Sequence, residues 1–350
     1  MSGFPRRAMV LAAGKGTRLA PLTDERPKPL FPLGPFPILH YPLMMLRQAG
    51  ITDVMINLHH LGSQIRDRFG DGGDLELSLR YSEEHPALLG TGGGIKKARA
   101  FLEDAPFVLV NGDTLVDVDL SEVLAFHKDK GAAATMVLVE ARPEAAYGIV
   151  AVDSDLRVRD IAGRARWQGR PARLGHFCGI HVIEPRVFAF MPDADAFCIN
   201  ADVYPRLLAA GEPIQGCFLA RRFSDVGTPA RYLAAAADLL DGRLNLPYLR
   251  DTGWNGRSAG QEGASGLRVA GDAAVHPGAT LKPPVYIGAG ASVEAGAAVG
   301  PYALMGRGSR AGTGSRVSHT IVWGEARVGA GEALARCILT PRQCLQISSE

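Results

Sequence analysis

Two glycines and two cations near the start of the chain are the clearest candidates for phosphate chemistry. Residues 11–30 read LAAGKGTRLAPLTDERPKPL and include the end of a short apolar run. Gly14 and Gly16 permit a tight turn whose successive N–H groups can face an anion, while Arg18 and Lys28 add positive charge. The segment is not a Walker A loop, and it lacks the third glycine of a dinucleotide-binding fingerprint. We therefore interpret it as a phosphate-binding loop of another type.

Three later segments place glycines or carboxylates beside predicted strand and helix ends. Asp113 follows the apolar run 107–110, so its carboxylate is expected at the carboxyl edge of a sheet. Residues 83–94 read EEHPALLGTGGG, and their glycines suit close approach of a base or ribose at a helix start. Asp225 precedes a helix that Thr228 can cap. Each segment is also compatible with a turn or cap that binds no ligand.

Short apolar runs alternate with helix-like stretches over residues 8–240. The runs typical of buried strands are 8–13, 53–58, 107–110, 133–139 and 214–219. The helix-like stretches are 38–48, 65–69, 95–102, 120–128, 203–210 and 229–240. This alternation predicts an α/β, Rossmann-like domain with a mostly parallel sheet covered on both faces and ligands at the carboxyl ends of its strands.

A six-residue repeat begins at Val269. The first positions of nine blocks are all apolar, namely Val269, Val275, Leu281, Ile287, Val293, Val299, Met305, Ala311 and Val317. The fifth positions, from Ala273 to Ile321, are small or branched. The pattern predicts a left-handed parallel β-helix of three coils with glycines at its corners and a slip of register from Trp323. We predict a catalytic domain at 1–242, a linker at 243–267 and the β-helix at 268–350.

Composition narrows the classes of function. A chain of 350 residues exceeds the usual size of one core and predicts two domains. Lys and Arg number 38 against 36 Asp and Glu, so no global field recruits nucleic acid or a membrane. The five cysteines contain no C-x-x-C pair, and no apolar stretch approaches about 20 residues. These features predict a cytoplasmic protein with reduced thiols.

The glycine loop resembles the signature of the sugar-phosphate nucleotidylyltransferases, written G-x-G-T-R-L-x-P-L-T and then P-K-P-L. The match covers Gly14–Thr23 and Pro27–Leu30, and similar order and spacing continue to about residue 240. The resemblance implies a GT-A-like fold, with Arg18 holding the phosphates of a nucleoside triphosphate and Lys28 contacting the phosphate where bonds exchange. It also implies that Asp113 and Asp225 bind Mg²⁺, an ion that prefers carboxylate and phosphate oxygens.

The resemblance also implies a nucleotide site and a sugar site. The nucleotide-binding candidates are Leu11, Ala12, Ala13, Gly14, Gly16, Thr17, Arg18, Glu83, Gly90, Thr91, Gly92, Asn111 and Gly112. The sugar-binding candidates are Tyr147, Gly148, Gly179 and Asn200. Many family members carry a Glu-Lys-Pro whose lysine meets the sugar phosphate, whereas residues 161–166 here read IAGRAR. Arg164, Arg166 and Arg173 are alternative replacements, and the sequence does not choose among them.

The expected reaction joins a nucleoside triphosphate to a sugar-1-phosphate and releases pyrophosphate. A catalytic domain followed by a short β-helix resembles the mannose-1-phosphate guanylyltransferases, which favours synthesis of GDP-mannose. Residues 57–60, 81–84 and 91–95 instead resemble the N-acetylmuramate-1-phosphate uridylyltransferases. Uridylyl or thymidylyl transfer to N-acetylmuramate- or glucose-1-phosphate is therefore the alternative.

Two other classes of function remain open. In one the β-helix is a second catalytic domain, and in the other the protein does not catalyse a reaction. Hexapeptide domains also occur in acetyltransferases, where His276 or His319 would act as the base in a bifunctional enzyme. A non-catalytic regulatory subunit that binds a sugar nucleotide would not need Arg18, Lys28 and both aspartates. The flat faces of the β-helix suit self-association, so we expect a homo-oligomer.

Overall fold

The computed structural model describes residues 5–142, 147–165, 167–252, 254 and 266–348. By the packing of their backbones they fall into two compact units. The first comprises Met1–Gly16, Leu22–Pro29 and Tyr41–Phe223, and the second comprises Thr17–Pro21, Leu30–His40 and Ser224–Glu350. This grouping places residues 224–242 with the C-terminal strands. The division at 242 and 268 stays a prediction.

Thirteen of the described strands lie before residue 226. In chain order they are β1 (Arg7–Leu11), β2 (Pro32–Leu33), β3 (Phe36–Pro37), β4 (Asp53–Leu58), β5 (Ser78–Glu83), β6 (Phe107–Asn111), β7 (Thr114–Asp117), β8 (Ala134–Glu140), β9 (Ile149–Val152), β10 (Val158–Ile161), β11 (Arg173–Ile183), β12 (Ile214–Cys217) and β13 (Arg222–Asp225). Nine of the described strands form one sheet in the order β10-β9-β11-β6-β1-β4-β5, with β8 beside β11 and β12 beside β8.

The sheet is mostly parallel, as predicted. β1 pairs in parallel with both β4 and β6, and β4 pairs in parallel with β5. β11 runs antiparallel to β6, β8 and β9, and β10 runs antiparallel to β9. Fully buried residues such as Met9, Val54 and Leu109 fix the register, because a shift by one residue would expose them.

Helices follow most of the strands. They are α1 (Leu22–Glu25), α2 (His40–Gln48), α3 (Gly62–Phe69), α4 (Gly90–Lys97), α5 (Arg99–Leu102), α6 (Leu120–Lys130), α7 (Tyr204–Ala209) and α8 (Pro229–Leu240). Tight 3₁₀ turns occupy Thr17–Leu19, Lys28–Leu30, Gly73–Leu75, Pro185–Phe190 and Pro247–Thr252, and a π-helical turn occupies Ile199–Val203. No described helix has the length and apolar character needed to cross a membrane.

The C-terminal strands of the second unit form the predicted β-helix. They are β14 (Leu267–Val269), β15 (Ala274–Val275), β16 (Thr280–Leu281), β17 (Val285–Ile287), β18 (Ser292–Val293), β19 (Ala298–Val299), β20 (Ala303–Met305), β21 (Arg310–Ala311), β22 (Arg316–Ser318), β23 (Ile321–Val322), β24 (Arg327–Val328), β25 (Ala333–Ala335), β26 (Cys337–Leu339) and β27 (Cys344–Gln346). They stack in three sheets, β14-β17-β20-β23-β26-β27, β15-β18-β21-β24 and β16-β19-β22-β25. All described pairs in these sheets are parallel except that of β26 with β27.

The length of a coil changes once along the β-helix. Val285 pairs with Ala303, eighteen residues later, whereas Leu304 pairs with Ile321, seventeen residues later. The slip of register therefore begins between Val317 and Ile321, ahead of the predicted position at Trp323, because the corner there is a residue shorter. The next coil keeps the shorter length, since Ile321 pairs with Ile338, seventeen residues later. The predicted first positions from Ile287 to Val317 are buried along the axis.

Candidate active site

A cavity of about 280 Å³ opens in the first unit where β1, β4 and β6 end. These neighbouring strands are parallel, so the side chains that follow their carboxyl ends meet at one edge of the sheet. The cavity is lined by Leu11, Ala12, Ala13, Gly14, Lys28, Pro29, Asn57, Glu84, Leu88, Gly90, Thr91, Asn111 and Asp113. Nine of these residues were among the sequence candidates, and Pro29, Asn57, Glu84 and Leu88 were not.

A chain of hydrogen bonds fixes one wall of this cavity. The N–H of Ala12 donates to Asn57 Oδ1 at 2.7 Å, and Asn57 Nδ2 donates to Glu84 Oε1 at 2.7 Å. Glu84 Oε2 accepts from the N–H of Leu89 at 2.8 Å. The side chains of Asn57 and Glu84 are almost completely buried. The wall therefore presents an anchored carboxylate beside a backbone turn.

The structure separates two adjacent glutamates that the sequence does not distinguish. Glu83, the candidate, points to the surface and forms an ion pair with Arg66, and its side chain is 48% exposed. Glu84 is 1% exposed and lines the cavity. Successive residues of a strand point to opposite faces, so only one of the two can reach the site. The alternating pattern of residues 78–84 was the signal that could have identified Glu84.

The glycine cluster of α4 serves packing as well as the cavity. Gly90 and Thr91 line the cavity. A Cβ at Gly92 would overlap the ring of Phe197, and one at Gly93 would overlap the backbone carbonyl of Asp195. Gly92, a predicted nucleotide contact, lies against the segment that holds Phe197. Its small size is required there because the helix and that segment lie in direct contact.

Lys28 and Asp113 form an ion pair inside the cavity. Lys28 Nζ donates to Asp113 Oδ2, and the lysine side chain is only 10% exposed against 35% for the aspartate. Lys28 begins a 3₁₀ turn that returns beneath Gly16, whose φ is +63°. A Cβ on Gly16 would lie 2.9 Å from Thr23 Cγ2 and 3.5 Å from Lys28 Cβ. Gly16 therefore allows the loop to pack closely over the lysine. Two predicted nucleotide contacts, Gly16 and Gly112, are not part of the cavity lining.

Arg18, Asp225 and Arg231 all belong to the second unit, in which residues Thr17–Pro21 and Ser224–Glu350 group together. Arg231 Nη1 lies 3.1 Å from each carboxylate oxygen of Asp225. A Cβ built on Gly227 would lie 3.2 Å from Asp225 Oδ2, 3.3 Å from Arg18 Nη2 and 3.4 Å from Arg231 Nη1. Arg231 thus pairs with Asp225, and the guanidinium group of Arg18 lies near both. No local sequence pattern identified Arg231 beyond its position in the first turn of α8.

The sugar-site candidates lie outside the lining of the cavity. The ring of Tyr147 packs 5.6 Å from His176 and 5.0 Å from Phe223, measured between centroids. Gly179 has a φ of +82°, and a Cβ there would lie 3.0 Å from Asn111 Nδ2. Gly148 is joined to His176 through its carbonyl oxygen, 3.4 Å from Nδ1. Asn200 Oδ1 is buried without a hydrogen-bond partner in the described structure.

The candidate replacements for the missing lysine are only partly described. Arg173 forms an ion pair with Glu140, and its guanidinium carbon lies 3.7 Å from the ring centroid of Phe218. Arg164 Nη1 lies 3.5 Å from the carbonyl oxygen of Ile161. Arg166 and its surroundings fall outside the described residues. Arg173 therefore already has a carboxylate partner, Glu140, within the protein.

Two ionisable side chains next to Gly179 are held neutral by burial. Burial raises the pKa of the Cys178 thiol far above its usual value. Burial lowers the pKa of His181 to about 3, and Tyr204 Oη lies 2.7 Å from its Nδ1. Both groups belong to the interior of the sheet, so they support β11 rather than exchange protons with a substrate.

The donor chemistry of the two aspartates fits a hard divalent cation. Carboxylate oxygens are the ligands that Mg²⁺ prefers, and one or two of them with substrate phosphates complete its shell. Among the described residues no group of three or more His, Cys, Asp or Glu side chains forms a ready metal site. That finding is compatible with Mg²⁺, because the phosphates of a nucleotide supply the remaining ligands.

The profile of the nucleotidyl transferase family matches residues 7–242, which include the cavity and both ion pairs. The chain belongs to this family and is a nucleotidyltransferase of class EC 2.7.7. Its C-terminal β-helix lies beyond the matched residues.

Individual relatives resemble the chain over different shares of its length. The mannose-1-phosphate guanylyltransferase of Mycobacterium tuberculosis is 35% identical over 81% of this chain and 75% of its own length. The UTP–glucose-1-phosphate uridylyltransferase of Synechocystis is 28% identical over 97% of this chain and 88% of its own length. The N-acetylmuramate α-1-phosphate uridylyltransferase of Neisseria meningitidis is 45% identical over 33% of this chain and half of its own length. The solved structure of HddC from Yersinia pseudotuberculosis with GMP-PN is similar at 25% identity and a TM-score of 0.54, covering 66% of this chain and 98% of its own.

Proposed function

We propose that the enzyme transfers a nucleoside monophosphate from GTP to mannose-1-phosphate, giving GDP-mannose and pyrophosphate. The observation that carries the proposal is the ion pair between the buried Lys28 and the half-buried Asp113 in a cavity bounded by the glycine loop. It combines a fixed cation for phosphate with a carboxylate that can hold a divalent ion. The resemblance to the Mycobacterium tuberculosis enzyme over most of both chains favours the guanylyl and mannose assignments.

The anchored Glu84 supports guanine as the base. Its carboxylate has about four lone-pair sites, of which the described contacts to Asn57 and Leu89 use two. The edge of guanine presents neighbouring N–H and NH₂ donors, which match a carboxylate, whereas uracil presents one N–H between two carbonyls. An acceptor at this wall therefore suits guanine better.

The proposed chemistry is positioning and charge stabilisation. The phosphate oxygen of the sugar attacks the α-phosphorus of the triphosphate in line, and the bond to pyrophosphate breaks as the new P–O bond forms. Lys28 is nearly buried and neutralises the developing charge with little reorganisation. Mg²⁺ would supply further positive charge to the phosphates, with Asp113 as its ligand in this cavity. Asp225 and Arg18 keep the roles predicted from the sequence, as a metal ligand and as a cation that holds the triphosphate.

The sugar-site candidates keep their predicted roles within this proposal. Tyr147, Gly148, Gly179 and Asn200 would contact the sugar, and the buried Oδ1 of Asn200 is an acceptor that a sugar hydroxyl could satisfy.

Uridylyl transfer to glucose- or N-acetylmuramate-1-phosphate is the alternative, supported by the Synechocystis and Neisseria relatives. The β-helix would serve self-association, which light scattering of the full chain can measure.

The test is pyrophosphate release from a matrix of GTP, UTP and dTTP with mannose-, glucose- and N-acetylmuramate-1-phosphate in Mg²⁺. We expect the largest kcat/KM with GTP and mannose-1-phosphate. Asp113→Asn should abolish turnover, whereas Asp119→Asn should leave it unchanged. Asp119 caps α6 through Ser121, and asparagine caps a helix about equally well. Silence across the matrix would contradict the reaction, and a preference for UTP would replace the base assignment.

A further inference from the structure

The corners of the β-helix include positions where the backbone adopts a left-handed conformation. Three columns of such corners run along the stacked coils. They are Gly290, Gly308 and Glu325 with φ of 64°, 65° and 64°; Gly296, Gly314 and Gly331 with φ of 68°, 69° and 71°; and Tyr302, His319 and Arg336 with φ of 54°, 48° and 53°. Glycine fills five of the six places in the first two columns. The third column contains no glycine.

The third column is therefore an exception to the way this sequence builds its corners. Left-handed φ strains residues with a Cβ, and glycine adopts it without that cost. Three large side chains at equivalent strained positions indicate that the side chains themselves are needed, because strained residues of this kind collect at functional sites. Tyr302, His319 and Arg336 are large, polar and mutually different, which does not match a simple packing role.

These three side chains line one cavity. It has a volume of about 200 Å³ and lies between the coils and α8. Leu233 and Ala237 form part of the helical wall, and the buried Ile321 and Ile347 contribute the apolar floor. The rings of Tyr302 and His319 lie 5.0 Å apart between centroids, with 35° between their planes. The cavity thus has an apolar interior beside a column of two rings and a guanidinium group.

The charges around this cavity favour an anion. Tyr302 Oη donates to Asp241 Oδ2 at 3.3 Å, and that aspartate is neutralised by Arg243 at 2.7 Å. Within the part of the chain that the structure describes, no carboxylate forms an ion pair with Arg336. Guanidinium binds phosphate and carboxylate through paired N–H donors. The cation at this cavity is therefore available to an incoming anionic group.

We propose that this cavity is a second small-molecule site, for a single-ring or similarly small apolar body that carries one phosphate or carboxylate group. A cavity of about 150 Å³ is large enough for benzene, so about 200 Å³ admits one ring and an attached anion. The anionic group binds Arg336 and the imidazole N–H of His319, and the apolar body packs on Ala237 and Ile321. The site lies wholly in the second unit and does not involve the nucleotide cavity.

The test measures binding of phenyl phosphate and benzoate to the full chain by titration calorimetry. We expect at least one of them to bind, and phenol and inorganic phosphate to bind at least tenfold more weakly, since each supplies only one half of the ligand. Arg336→Gly should weaken binding at least tenfold. Glu325→Gly, at an equally strained corner outside the cavity, should change it less than twofold.

Thermal unfolding of the same variants separates binding from structure. Glycine relieves the left-handed strain, so Arg336→Gly, His319→Gly and Glu325→Gly should unfold at or above the temperature of the parent protein. Ala237→Leu fills the cavity from α8 and provides a second variant that should abolish binding. Absence of binding by both ring anions, equal binding to Arg336→Gly or to Ala237→Leu, or a lower unfolding temperature for Arg336→Gly with binding retained would each overturn the proposal.

Discussion

Asn57 Nδ2 lies 2.7 Å from Glu84 Oε1, and this hydrogen bond orients the buried carboxylate beside the cavity. The amide cannot rotate, because its Oδ1 already accepts from the N–H of Ala12. The backbone turn after β1 and the carboxylate after β5 are therefore joined by one asparagine at the end of β4. The glycine loop and the wall proposed to bind the base are positioned as a unit.

Replacement of Glu84 by glutamine should weaken the use of GTP more than that of UTP. Glutamine has one acceptor oxygen for the two N–H donors of Asn57 and Leu89, and its NH₂ would face the donors of guanine. Losing a hydrogen bond to a charged group costs about 1.5–3 kcal/mol. We expect kcat/KM with GTP to fall roughly ten- to a hundredfold. Glu83→Gln, one residue away at the surface, is the matched control, and an equal loss for GTP and UTP would contradict guanine recognition.

Replacement of Lys28 by methionine should lower kcat and leave the fold intact. Methionine keeps most of the apolar stem but removes the ammonium that pairs with Asp113. Removing one preorganised group that stabilises transition-state charge costs about 10²–10³ in kcat. Steady-state kinetics would show this loss, while Lys97→Met, which removes an exposed ammonium that donates to the carbonyl of Glu83, should retain kcat. A change confined to KM would indicate that Lys28 only binds the ground state.

The sequence predicted the architecture where a pattern repeats. The six-residue period gave the β-helix and its buried positions, and apolar runs gave the central parallel strands β1, β4 and β6. Strands β5 and β10 were not predicted because polar residues alternate through them or interrupt them. Arg80 and Arg159 are examples, since each lies within a strand and breaks an apolar run.

The sequence predicted the site residues that belong to a local motif. It did not predict those whose place in the site depends on tertiary packing. Lys28 and Asp113 lie 85 residues apart, yet each could be identified from its own segment. Glu84 required knowledge of which face of β5 points inward. Arg231 required the position of α8 beside Arg18, which no local pattern contains. The shorter corner before Ile321 likewise follows from the stacking of coils.

Replacement of Gly92 by alanine should destabilise the fold without a direct effect on nucleotide contacts. The new Cβ would overlap the ring of Phe197, which is itself buried. Overpacking of this kind costs about 1–3 kcal/mol. Phe197→Leu should recover part of that loss in the double variant, because the smaller side chain makes room for the methyl group. Denaturant unfolding of both single variants and the double variant gives the coupling free energy between the two positions. Additive losses in the free energy of unfolding would show that the two residues do not interact.

Below pH 6.5 the buried His181 should make stability depend on pH. Its pKa is lowered to about 3 by burial, against about 6.5 in an unfolded chain. Between these values the unfolded chain binds a proton that the folded protein does not, so the free energy of unfolding falls as the pH falls. The contribution of one such group is about 1 kcal/mol per pH unit.

Denaturant unfolding at pH 6.5, 5.5 and 4.5 measures this contribution. The free energy of unfolding should depend less steeply on pH in His181→Gln than in the parent protein. The difference between the two slopes removes the contribution of His127, whose pKa burial also lowers. Parallel slopes for His181→Gln and the parent protein would contradict this contribution and show that His181 carries a proton when folded.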